Sequence, residues 1–169
     1  MAFEENGERI KDLKVILARV AYAASMFDAN GIEVRFMNSN IEGNRVTTEQ
    51  DVENLVAQVQ FKGLTPMGTQ LKNKVIEPLV MQPARTGRLT KPVLVISITD
   101  GQPAGEPPNS LFDAVKNASS ELAQMPRYGR GALSFQFAQV GNDLRARDFL
   151  SKLDNDPTVG HLVDCTSSR

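Results

Sequence analysis

Apolar positions along the chain fall into two periods. Ile10, Leu13, Leu17, Val20, Ala24 and Phe27 recur at steps of three and four, the spacing of one helical face. Asn30-Gly31 behind them supplies a left-handed stop. Ile32-Glu33-Val34-Arg35-Phe36 alternates strictly and predicts a strand. The polar, glycine-containing residues 38–43 predict a turn, and residues 44–47 a short edge strand. Thr47 with Gln50 has the spacing of a capping box, and Val52, Leu55, Val56 and Val59 continue as a second helix. Residues 63–68, Gly-Leu-Thr-Pro-Met-Gly, predict a loop. Leu71, Val75, Ile76 and Leu79 predict a third helix, which Pro78 is expected to kink or end. Residues 93–98 are an almost continuous apolar run, as in a strand buried on both faces of a parallel sheet. The run stops at Thr99-Asp100-Gly101, and a proline-rich loop follows through Pro108. A fourth helix carries Leu111, Ala114, Val115, Ala118 and Leu122, and a strand spans 133–140. A fifth helix carries Ala146, Phe149, Leu150 and Leu153, and a last strand spans 162–165.

Strands alternating with helices predict an α/β fold: a Rossmann-like, doubly wound, mostly parallel sheet with helices on both faces. Right-handed crossovers gather the strand-to-helix loops at the carboxyl edge of such a sheet, where ligands bind. Those loops are 38–43, 100–108 and 141–143, and the loop 63–68 is expected to fold over the same edge. At 169 residues the chain has the length of one domain, read as 1–169. With 19 basic and 20 acidic residues the net charge is −1, so bulk charge gives no argument for nucleic acid. No apolar run approaches the roughly 18 residues of a membrane span. The acidic start, Met1-Ala2-Phe3-Glu4-Glu5, lacks the order of a signal peptide. One cysteine, Cys165, and one histidine, His161, leave no disulfide and little room for zinc or triad chemistry. The expectation is a cytoplasmic protein without nucleic-acid or membrane partners.

Two loop motifs occur together: Gly63-Leu64-Thr65-Pro66-Met67-Gly68-Thr69 and Val95-Ile96-Ser97-Ile98-Thr99-Asp100-Gly101. Alone, an Asp-Gly after a strand is most simply a turn, and a Thr-Pro a turn or a helix start. As a pair, about a helix apart and in this order of elements, they resemble the von Willebrand factor A (VWFA) domain family. The resemblance runs from the first helix to Cys165. Phe36-Met37-Asn38-Ser39 and Val163-Asp164-Cys165-Thr166 are most similar to fungal stand-alone members. It implies a protein-interaction module, not an enzyme, with Mg²⁺ in a metal-ion-dependent adhesion site at the sheet's carboxyl edge. The metal's open position takes a carboxylate from the protein partner. By matching motifs, the metal-site residues are Thr65 and Asp100.

The family's Asp-x-Ser-x-Ser segment and the strand before the first helix have no counterpart in the sequence. The resemblance therefore implies an N-terminally incomplete domain that holds Mg²⁺ weakly. It leaves a gap of about 9.6 Å between the strand at 32–36 and that at 93–98, through which self-association is expected. The ending at Ser168-Arg169 also precedes the family's closing helix. A metal-independent scaffold within an assembly, and a small α/β enzyme using Asp100, are the alternatives. Residues 63–69 do not match a phosphate-binding Gly-x-x-x-x-Gly-Lys-Ser/Thr loop, because Thr69-Gln70 follow Gly68. Cys165 is expected to be a buried structural thiol and His161 an edge or surface imidazole. Asp143, Arg145, Arg147 and Asp148 read as a solvated helix face. Glu4, Glu5 and Glu8 are expected to complement the start of the first helix.

Overall fold

A computed structural model describes residues 7–166, and the chain falls into two units, Met1–Gly63 and Leu64–Arg169. In the first unit, the apolar stripe forms helix α1 (Glu8–Ser25), with Leu13, Leu17 and Ala21 buried at four-residue steps. Glu8 lies in its first turn; Glu4 and Glu5 fall outside the described residues. The helix ends before Phe27, which is 90% exposed. The N–H groups of Phe27 and Asp28 bond back to the Ala24 carbonyl at 3.0 and 2.8 Å, and Gly31, at φ 73°, turns the chain into the next strand.

That strand, β1 (Ile32–Phe36), pairs antiparallel with β2 (Ser39–Val46), with Phe36 opposite Ser39 across the Met37-Asn38 connection. The expected turn at 38–43 is therefore mostly strand and is not a strand-to-helix loop. The buried side of β2 carries Gly43 and Val46. A Cβ on Gly43 would run into the Leu55 side chain. Helix α2 (Glu49–Val56) is capped one residue later than the spacing suggested. Asp51 N–H donates to the Thr48 hydroxyl at 3.1 Å, and Thr48 N–H donates to the Asp51 carboxylate at 2.9 Å. Thr48 and its neighbour Thr47 hold the Asp51 carboxyl below its ordinary range, the Thr48 hydroxyl contributing most. Gln50 instead bonds Asn54, and Val59 lies beyond the helix end. Lys14 of α1 reaches Glu53 of α2 at 2.5 Å.

The second unit begins with a continuous helix, α3, built from Met67–Leu71, a wide π-helical stretch Lys72–Met81, and Gln82–Arg85. Met67 and Gly68, assigned to a loop from sequence, belong to its first turn. Pro78 does not end it. The wider turn changes the hydrogen-bond step to five residues, which relieves the clash a proline makes with the carbonyl four residues back. Strands β3 (Val93–Thr99), β4 (Leu133–Gln139) and β5 (Val163–Thr166) form a parallel sheet in that order. Helices α4 (Ser110–Gln124) and α5 (Leu144–Asp154) are the two crossovers.

This three-stranded parallel sheet flanked by helices makes the protein a mixed α/β fold. Leu133, Phe135 and Phe137 form the buried row of β4, facing the apolar sides of the helices. The side chains of Arg85 (α3) and Glu121 (α4) pair at 2.7 Å, and Arg85 also pairs with Glu77. The Arg85 guanidinium holds the Glu121 carboxyl below its ordinary range.

The antiparallel β1-β2 pair and the parallel β3-β4-β5 sheet are separate. Among the described residues β3 pairs with β4 alone. It is an edge strand, not the strand buried on both faces that its composition predicted. Only Val95 and Thr99 are buried, and Leu94 is 59% exposed. No described helix is long and apolar enough to cross a membrane.

Candidate functional site at the carboxyl end of β3

Thr99, at the end of β3, is 2% exposed. Its hydroxyl donates to the Gly101 carbonyl at 2.8 Å and accepts from the Gly101 N–H at 3.2 Å. One buried hydroxyl thus ties the Thr99-Asp100-Gly101 turn and puts half-buried Asp100 at its tip. The following loop doubles back to the start of α3. Ala104 N–H donates to the Thr65 carbonyl at 2.9 Å, and Met67 N–H donates to the same oxygen at 2.8 Å. The Glu106 carboxylate accepts from Gly68 N–H at 2.9 Å and Thr69 N–H at 2.7 Å. These are N–H groups of the first helical turn, which have no acceptor within the helix and favour a negative charge.

The two residues singled out from sequence are brought into one neighbourhood. The Thr65 Oγ1 lies 4.0 Å from the position of a Cβ built on Gly101, the residue next to Asp100. Both side chains offer hard oxygen donors of the kind Mg²⁺ takes. The described residues contain no group of three or more His, Cys, Asp or Glu placed to hold a metal, so any ion here would draw most of its coordination from water and neutral oxygens. At the end of β4, opposite Thr99, Gln139 is buried. Its Nε2 donates to the Asp143 carbonyl at 2.7 Å, and its Oε1 has no partner among the described residues.

Of the other edge loops, 141–143 is a helix start. The Asp143 carboxylate accepts from Arg145 N–H at 2.8 Å and Ala146 N–H at 3.4 Å, capping α5. The loop 38–43 belongs to the hairpin of the first unit. Thr99 and Glu106 organise the site and were not marked by the sequence. Glu106 is the one acid in the proline-rich loop after Asp100, a signal that becomes specific only once the loop is seen to fold over α3.

His161 is exposed, and Cys165 is half-buried on β5. Burial, with help from the Asp154 and Asp164 carboxylates, pushes the Cys165 thiol up to about 12. Thiolate is the reacting form, so iodoacetamide at pH 8 should label Cys165 slowly in the native protein, on the order of 100-fold or more below the urea-unfolded chain. The thiol expected to be buried is thus only partly so, and equal rates would mean that the fold does not shield it. Because the folded-state value is raised, Cys165 is neutral in both states below about pH 9. Above that its ionisation favours the unfolded chain until the folded-state value is passed, so stability should fall with rising pH through this window.

No family model, curated protein or solved structure matches the chain.

Proposed function

We propose that this chain is a protein-interaction module of the von Willebrand factor A type, recognising an acidic side chain of a protein partner at the carboxyl end of β3. The observation that carries this reading is the junction of the Thr65 turn with the Asp100 loop, sealed by the Ala104 N–H to Thr65 carbonyl bond. Thr65 and Asp100 would hold Mg²⁺, the hydroxyl as a neutral donor and the carboxylate as the charged one. Mg²⁺ would supply a positive centre for the partner's carboxylate, with water filling the remaining positions of a roughly six-oxygen shell. With one carboxylate in the pair, the metal is held weakly. Thr99 and Glu106 keep the two loops in place. The near-neutral chain, at net charge −1, supports a protein partner over nucleic acid, and its single cysteine suits the cytoplasm.

The test is binding of a carboxylate-bearing peptide with Mg²⁺ and with EDTA, alongside calorimetric Mg²⁺ titration of the metal-free protein. Mg²⁺ should bind more weakly than micromolar. Asp100→Ala should abolish Mg²⁺-dependent peptide binding, and Thr65→Ala should weaken it by about tenfold, near the worth of one hydrogen-bond-strength contact. If Asp100→Ala binds as the parent does and EDTA changes neither, the metal-edge assignment fails and a metal-independent scaffold replaces it.

A further inference from the structure

We propose that the amino edge of the parallel sheet is a second docking surface, which takes an acidic segment of a protein partner through Arg88 and Arg127. The chain enters β3 through residues 86–92 and β4 through residues 125–131. These strands are neighbours and parallel, so the two loops lie side by side where the strands begin. Together they hold Arg88, Lys91, Arg127 and Arg130 and no Asp or Glu, on a chain whose net charge is −1. The loops are tied to each other: the Tyr128 hydroxyl donates to the Leu89 carbonyl at 3.0 Å, and the Leu89 side chain is buried. Arg127 Nη1 lies 3.4 Å from the position of a Cβ built on Gly87. Arg88 Nε donates to the Thr86 hydroxyl at 3.0 Å. Two exposed arginines thus set their guanidiniums over adjacent residues, Thr86 and Gly87.

The fold itself does not use these two charges. The nearby carboxylates of Glu77 and Glu121 pair with Arg85, and among the described residues neither Arg88 nor Arg127 has an acidic partner. The end of α3 does not need them as caps. Its Gln82, Pro83 and Ala84 carbonyls accept main-chain N–H groups of residues 86–89 at 2.8–3.2 Å. The helix dipole offers only about half a negative charge there, less than two guanidiniums carry. What remains is a cationic surface ordered before any partner arrives, which lowers the entropy cost of binding. Planar guanidiniums pair with carboxylates in a bidentate way. Single-stranded nucleic acid takes exposed aromatic platforms as well as cations. The one aromatic residue of these loops, Tyr128, is half-buried with its hydroxyl engaged, which favours an acidic protein segment. The surface needs no metal and does not rest on the Mg²⁺ reading of the opposite edge.

The test is fluorescence anisotropy of a short labelled peptide of alternating Asp and Glu, titrated with the full chain in EDTA so that the metal site plays no part. Binding should saturate, exceed that of the matching Asn and Gln peptide, and weaken as salt is raised. Arg88→Ala and Arg127→Ala should each weaken it about threefold, the worth of one exposed ion pair. The double reversal Arg88→Glu with Arg127→Glu should abolish it. Both residues are exposed, so circular dichroism of these variants should match the parent. Arg145→Glu makes the same kind of charge change on exposed α5 at the other edge and should bind as the parent does, as should Asp100→Ala. A parent that binds the acidic peptide no better than the neutral one overturns the proposal. Binding that survives the double reversal, or that Arg145→Glu weakens as much as Arg127→Glu alone, also overturns it. A single-stranded RNA of equal charge that binds more tightly than the peptide, with the same dependence on Arg88 and Arg127, would assign the surface to nucleic acid instead.

Discussion

Phe137→Ala should destabilise the second unit by about 3–5 kcal/mol, the range for deleting a buried aromatic side chain. Phe137 is 0% exposed at the centre of β4. It stacks on Phe135 with ring centroids 6.5 Å apart, and on its two flanks it pairs with Ser97 of β3 and Cys165 of β5. Those neighbours are small, so they cannot fill the space left by a ring, and the loss includes a cavity as well as transfer free energy. The loss is a large fraction of the stability of an ordinary domain, about 5–15 kcal/mol. Urea unfolding followed by circular dichroism should show the shift in midpoint, and Phe137→Leu should recover more than half of it. A change below about 1 kcal/mol for Phe137→Ala would mean that β4 is not the centre of this core.

The helices and the three parallel strands were legible because their periodicity is local. Leu111, Ala114, Val115, Ala118 and Leu122 mark α4 by their own spacing, and each is buried. Only the end of strand β2 was legible, as the edge strand expected at 44–47; its first part was hidden because glycine occupies an inward position, Gly43 being buried but contributing no apolar letter to the alternation. The apolar run of β3 was legible as a strand but not as an edge, since composition does not count a strand's neighbours. At Pro78 the sequence rule assumed a four-residue hydrogen-bond step, and the chain took a wider one. The Thr65 and Asp100 loops were found through paired motifs. Glu106 was not, because its partners, Gly68 and Thr69, lie 38 and 37 residues away. A non-local cap of that kind leaves no spacing to read.

Gly68→Ala should destabilise the protein by about 2 kcal/mol, although alanine is intrinsically the better helix former by about 1 kcal/mol. Gly68 lies in the first turn of α3 where that helix crosses the start of α4. A Cβ there would fall 2.6 Å from the Leu111 Cα and closer still to the Leu111 nitrogen and the Ser110 carbonyl carbon. These are backbone atoms, so no rotamer change makes room, and the two helices must separate. The same residue donates its N–H to Glu106, so the separation should also loosen the loop that carries Asp100. Gly129→Ala is the matched control: its φ of −127° is open to alanine, and nothing lies within 4 Å of the added Cβ. It should change stability by less than about 0.5 kcal/mol. Chemical unfolding of both variants measures the difference. Hydrogen exchange at the Gly68 and Thr69 amides reads the loop directly and should accelerate in Gly68→Ala alone. A Gly68→Ala protein as stable as the parent, with those amides equally protected, would mean that α3 and α4 do not cross as closely as this.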